Sequence, residues 1–201
     1  MKKKIMRDAL ILTAFTLVLG LILGFVYELT KEPIRAAEEA AKNAAYKAVF
    51  ANADHFDEVE IDKATAGAMM EEQGFSDTID AVLEAKDGAN TKLGYVITVT
   101  AKDASQGSIT FSVGIQMDGT VNGYSITSIA ETPGLGMKAC EEEFYKQFMN
   151  KKVSAFTVVK QAPSASHEIE TIAGSTITSK AMANGCNAAI YYFQNALGGA
   201  K

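Results

Sequence analysis

The sequence predicts an α+β domain with a mostly antiparallel sheet and flanking helices, tethered by one N-terminal transmembrane helix. Three observations carry that expectation. Residues 9–27 read ALILTAFTLVLGLILGFVY without a charge. Residues 93–129 are rich in β-branched and alternating apolar positions, the two-residue period of half-buried strands. Met182, Cys186, Ala189, Ile190, Phe193 and Leu197 recur at helical spacing. Strands in the middle of a chain with helices before and after make an α+β arrangement.

At 1.5 Å per residue the apolar run matches a hydrocarbon core of ~30 Å. Lys2, Lys3, Lys4 and Arg7 precede it and Glu28 follows, so the positive-inside tendency leaves the N-terminus cytoplasmic and residues 28–201 outside. The run exceeds the ~7–15 apolar residues of a signal peptide, and no small-x-small cleavage pattern follows it, so a retained single-pass anchor in the cell (inner) membrane is expected. No Cys follows that would take a lipid anchor. Gly20 and Gly24 have the spacing that lets a second helix approach. The organisation expected is an anchor at 1–28, a stalk helix at 29–55 and an extracytoplasmic domain at 56–201. The stalk begins with Pro33 in its first turn and runs through an Ala-rich stretch to residue 53, with Ala41, Ala45 and Val49 as a packing stripe.

Within the domain, short strands or helices are expected over 56–90, and strands over 93–100, 109–115 and 121–129, the last two joined at Asp118-Gly119, a strong hairpin signal. Ala139, Phe144 and Phe148 give residues 138–149 the pattern of an amphipathic helix, and a further strand is expected at 156–159. With 19 basic and 24 acidic residues the net charge is −5, and the basic residues at the extreme N-terminus leave the body acidic, which argues against a nucleic-acid surface. His55 and His167 stand far apart and form no zinc or haem motif. Cys140 and Cys186 are the two cysteines; they suit one disulfide or two buried thiols.

Two segments carry chemistry. Glu170-Thr171-Ile172-Ala173-Gly174-Ser175-Thr176-Ile177-Thr178 runs into the last helical pattern. Gly174 lets the chain approach a ligand closely, and the N–H groups from Ser175 to Ser179 at the helix start suit a phosphate, with Lys180 as a source of charge. The plain alternative is that these hydroxyls only cap the helix. Glu131-Thr132-Pro133-Gly134-Leu135-Gly136 cannot be regular structure, because Pro133 lacks a donor and its glycines permit positive φ. Alone it reads as a turn between a strand and a helix.

The run 170–176 resembles the flavin-attachment signature of membrane flavoproteins. The run 131–136 is similar to a loop of RnfG, a component of the Rnf electron-transport complex, and of its relative NqrC, a component of the sodium-pumping NADH:quinone reductase. The motifs come in the family's order, and the likeness spans essentially the whole chain. Glu170 stands where Asp is more usual, Ala173 where Ser or Thr is, and Ser175 where Ala is. The resemblance implies an FMN-binding domain with FMN joined covalently through its phosphate to Thr176. Gly174, Ser175, Ile177 and Thr178 lie around it, and Glu131, Thr132 and Leu135 are contacts to the ring or ribityl chain. Ser175 and Thr178 are rival attachment sites. It further implies an electron-carrier subunit, not a stand-alone catalyst, of a ferredoxin:NAD oxidoreductase coupled to Na⁺ or H⁺ movement. Its partners would be the other membrane and peripheral subunits and a flavin transferase.

Within the same class the resemblance leaves two alternatives, the NqrC component of the sodium-pumping NADH:quinone reductase, which shares both motifs but fits the short chain less well, and a stand-alone extracellular flavin carrier. A membrane-tethered binding or scaffold domain without cofactor is the alternative from another class. A hydrolase or acyltransferase has little support: Ser-x-x-Lys ending at Lys180 would need Ser where Ile177 stands, and there is no nucleophile elbow. No dinucleotide or Walker pattern is present.

Overall fold

The computed structural model describes residues 2–199. The chain divides into two compact units, residues 1–41 and 42–201. Throughout its described residues the first unit is helix, part of α1 (Lys2–Val49). Its apolar side chains point outward on every side: Leu10, Phe15, Leu21 and Phe25 are each at least 64% exposed. A helix apolar all round belongs in lipid, and this one is long and apolar enough to cross a membrane. Pro33 does not begin a new helix. It lies inside α1, because good helix formers flank it on both sides and the missing N–H costs a single bond in a long ladder.

In the second unit α1 ends at Val49 rather than at residue 53. Phe50 and Ala53 turn inward with Tyr46 and Val49 to make a small core with Ala85 and Val96, and the Lys47 ammonium closes the turn on the Ala53 carbonyl. Of the expected stripe, Ala45 and Val49 are buried and Ala41 is exposed.

There follow β1 (His55–Val59), α2 (Lys63–Glu72), β2 (Thr78–Lys86), β3 (Lys92–Ala101), β4 (Ile109–Gln116), β5 (Thr120–Ser128) and β6 (Lys151–Lys152), the strands paired antiparallel in chain order as one six-stranded sheet. The Asp118-Gly119 signal produces its hairpin: the Asp118 carboxylate accepts the Thr120 N–H at 2.9 Å and Gly119 takes φ +87°. Ile109, Phe111, Val113 and Ile115 on β4 are fully buried in the main core, which lies between one sheet face and α2 and α4 (Thr176–Ala196). The residues at the end of α1 cover part of the opposite face.

The expected helix at 138–149 is replaced by a broken chain: a 3₁₀ turn at Gly136–Cys140, a four-residue α3 (Glu142–Tyr145) and a second 3₁₀ turn at Lys146–Phe148. Ala139, Phe144 and Phe148 are all buried as their spacing predicts. The break comes at Glu141, which is extended at ψ 145°. There the Ala139 carbonyl accepts the buried Tyr124 hydroxyl at 2.7 Å, a tertiary bond that holds the chain out of helical register. β7 (Thr157–Val159) pairs parallel with β8 (Glu168–Glu170) in a separate small sheet. The β7 strand of this sheet and the Gly136–Cys140 turn both pack against α4. Cys140 is exposed and Cys186 buried; both are free thiols, and burial pushes both pKa values up.

Candidate functional site

The turn after β8 delivers the chain to α4 through two backbone bonds, Thr171 N–H to the Val159 carbonyl at 2.8 Å and Ser175 N–H to the Ile172 carbonyl at 2.9 Å. Gly174 closes it at φ +78°, a conformation that L side chains rarely adopt. Ser175 occupies the N-cap position, but with φ −133° and ψ 49° its side chain makes no capping hydrogen bond. The hydroxyl cluster is therefore not a cap. Among the described residues, the first-turn N–H groups of this 21-residue helix have no side-chain partner, at the positive end of its dipole.

Burial sorts the hydroxyls. Thr178 and Ser179 are fully buried and Ser175 is 8% exposed. The Thr178 hydroxyl donates to Glu131 Oε2 at 3.2 Å. Ser179 Oγ accepts the Ile172 N–H at 2.9 Å and the Thr171 hydroxyl at 3.2 Å, and donates to the Ser175 carbonyl at 2.9 Å. Thr176 alone among Ser175, Thr176, Thr178 and Ser179 is partly exposed, next to the 58% exposed Ile177.

The loop at 131–136 meets this turn. A Cβ on Gly174 would sit 3.2 Å from Leu135 Cδ2, so Leu135 lies over the glycine while remaining 43% exposed. The Thr132 carbonyl accepts N–H groups from Leu135 at 3.1 Å and Met137 at 3.2 Å, and the tip from Thr132 to Leu135 faces solvent. Glu131 turns inward and is 7% exposed; its Oε1 accepts the Gln106 N–H at 3.0 Å. Beside the turn, a cleft of about 410 Å³ is lined by Lys138, Phe144, Gln147, Thr171, Ile172 and Ala173, among others.

The two motifs are thus brought together, with Gly174 against Leu135 and Thr178 against Glu131. Lys180 is exposed. Sequence reasoning gave no structural role to the side chain of Ser179, and passed over Gln147 and Gln106, all of which build the site. Ser179 ties the turn to α4; its place one turn before the buried Ala183 was a usable signal. Gln147 brackets the Glu170 backbone, accepting its N–H at 2.7 Å, and Gln106 holds Glu131. Neither glutamine carries a local signal.

A family model described as FMN-binding domain matches residues 105–191, which include both motifs, and one described as RnfG N-terminal region matches residues 1–49. The G subunit of the proton-translocating ferredoxin:NAD(+) oxidoreductase complex of Clostridium ljungdahlii is 30% identical over 94% of this chain and 91% of its own. This chain belongs to the RnfG family. The G subunit of the Na(+)-translocating ferredoxin:NAD(+) oxidoreductase complex of Acetobacterium woodii is 37% identical over 51% of this chain and 50% of its own. Among solved structures, NqrC of Shewanella oneidensis overlaps with a TM-score of 0.48 at 17% identity, covering 57% of each chain. The matched N-terminal region holds the apolar helix long enough to cross a membrane, and the matched FMN-binding domain follows it.

Proposed function

We propose that this RnfG-family chain carries FMN esterified through its phosphate to Thr176, and serves as an electron carrier in an ion-translocating ferredoxin:NAD⁺ oxidoreductase complex. One observation carries the attachment site: Thr176 is the partly exposed hydroxyl at an uncapped helix start, while Thr178 and Ser179 are sealed and hydrogen-bonded.

The residues fit the group. N–H groups at the start of α4 would receive the phosphate oxygens, Gly174 keeps side-chain bulk away from them, and Lys180 on the next turn adds positive charge. Leu135 and Ile177 are exposed apolar side chains on the two motifs, suited to covering one part of an isoalloxazine while leaving its edge open. FMN supplies the electron-accepting and electron-donating chemistry; the chain supplies position and exposure. A carrier that trades electrons with neighbouring subunits needs no enclosed substrate pocket.

The basic residues before the apolar span support, by the positive-inside tendency, a flavin domain outside the cytoplasm, where a noncovalent cofactor would be lost by dilution and an esterified one is retained. Maturation then requires a flavin transferase on that side. A denaturing gel viewed under ultraviolet light tests the attachment. With the transferase present, the natural chain fluoresces and Thr176→Val does not. Fluorescence that persists in Thr176→Val moves the bond to another hydroxyl, and a dark natural chain ends the flavoprotein reading.

A further inference from the structure

Glu131 sits in the motif expected to touch the cofactor, yet both its oxygens are spent inside the protein. Oε1 accepts the Gln106 N–H at 3.0 Å, and Oε2 accepts the Thr178 hydroxyl at 3.2 Å. The Gly136 backbone packs so tightly on this carboxylate that a Cβ there would overlap Oε2, Cβ and Cδ of Glu131. The group therefore joins three segments distant in sequence: the loop between β3 and β4, the 131–136 turn, and the first turn of α4. Thr178 stands two residues from Thr176, and among the described residues its hydroxyl is held by this bond alone.

We propose, resting on the Thr176 attachment, that Glu131 is a positioning residue acting through Thr178 and not a contact to the flavin. It orients the first turn of α4 so that Thr176 faces outward, and it withdraws Thr178 from competition as an acceptor by engaging its hydroxyl. The reason a carboxylate is used is that a buried acceptor must serve two donors from different directions, which its two oxygens do. Removing either partner leaves the other buried and unsatisfied, which loosens the turn. A misplacement of the acceptor oxygen of even ~1 Å is enough to cost up to ~100-fold in a positioned reaction.

The test uses the full-length unloaded chain in detergent, a purified flavin transferase and its flavin substrate, with two readouts: the initial rate of covalent incorporation, and amide hydrogen exchange along α4. Thr178→Val and Glu131→Ala are each expected to slow incorporation roughly tenfold. They should also accelerate exchange at 179–182 while leaving β3 and β4 protected, and the double variant should be no slower than the worse single one. Glu131→Gln keeps an acceptor for Gln106 and a donor that the Thr178 hydroxyl can accept from, so it should stay within about threefold of the natural chain. Thr178→Ser, which keeps the hydroxyl, should do the same.

Unchanged incorporation and exchange in Thr178→Val overturns the proposal while leaving the attachment intact. So does a rate lost equally in Glu131→Gln and Glu131→Ala with Thr178→Val unaffected, since that pattern marks the charge itself as the contact. Absence of incorporation into the natural chain fails the underlying attachment instead, and the exchange arm separates the two failures.

Discussion

Two helices pack into the same core and begin in opposite ways. α2 opens on Asp62, whose Oδ1 accepts the Ala64 N–H at 3.0 Å and whose Oδ2 accepts the Thr65 hydroxyl at 2.6 Å. These bonds, the one from Thr65 foremost, hold the Asp62 carboxyl below the usual range. α4 opens on Ser175, which has the residue type of a cap and makes no cap bond. One helix start is closed by its own chain and the other is left for something else. An N-cap contributes ~1 kcal/mol, so a 21-residue helix that forgoes one gives up stability at the place where an anion would return it.

The comparison can be sharpened first at Asp77, just past the end of α2. It is a buried carboxyl, 3% exposed, and neither oxygen makes a hydrogen bond among the described residues; the Lys102 backbone faces it without meeting hydrogen-bond geometry. Burial, and secondarily the nearby Asp103 charge, raises its pKa from 3.8 to about 6. Because the folded value lies above the unfolded one, the stability this group contributes is full below pH ~4 and is lost as pH rises through 6. The swing is on the order of 2–3 kcal/mol. Denaturant melts of Asp77→Asn should lose this slope and exceed the natural chain at pH 7. An unchanged slope would contradict the assignment.

Gly174→Ala comes next. Forcing φ +78° on alanine, with Leu135 Cδ2 at 3.2 Å from the new methyl, should destabilise by about 1–2 kcal/mol and lower flavin loading as well. Asp62→Ala is the matched control. It should lower the melting midpoint by about 2–4 °C and leave loading unchanged, since it opens the wrong helix. If Asp62→Ala reduces loading as much as Gly174→Ala, the two helix starts are not independent and the contrast fails.

The smallest effect tests the open end directly. Ile177→Glu places a negative charge in the first turn of α4, where it should stabilise the unloaded protein by ~0.3–1 kcal/mol and slow loading by opposing the phosphate. Thermal midpoint and incorporation rate should thus move in opposite directions, and parallel movement would argue against an anion at this helix start.

What was legible in the sequence is what local periodicity encodes. The alternation from Ile109 to Ile115, the Asp118-Gly119 turn and the stripe from Met182 to Phe193 each became the element their spacing predicts. The same logic identified Ala139, Phe144 and Phe148 as buried but gave them one helix. It could not see that the Tyr124 hydroxyl would take the Ala139 carbonyl and break the chain at Glu141. The parallel pairing of β7 with β8, and the turn that brings Val49 and Phe50 under the sheet, are likewise tertiary outcomes. At the site, the glycine and the hydroxyl run drew attention to residues 170–178, and the family resemblance singled out Thr176. Whether Ser175 capped α4 was a matter of local backbone and side-chain torsions, and the bond from Thr178 to Glu131 spans 47 positions with no local trace.

Intact-mass spectrometry of the full chain, made together with its flavin transferase and extracted from the membrane, tests the central claim most directly. The natural chain should carry the increment of one FMN joined as a phosphoester, and Thr176→Val should have the mass of the bare polypeptide. A natural chain at the bare mass, or an increment retained in Thr176→Val, would contradict it.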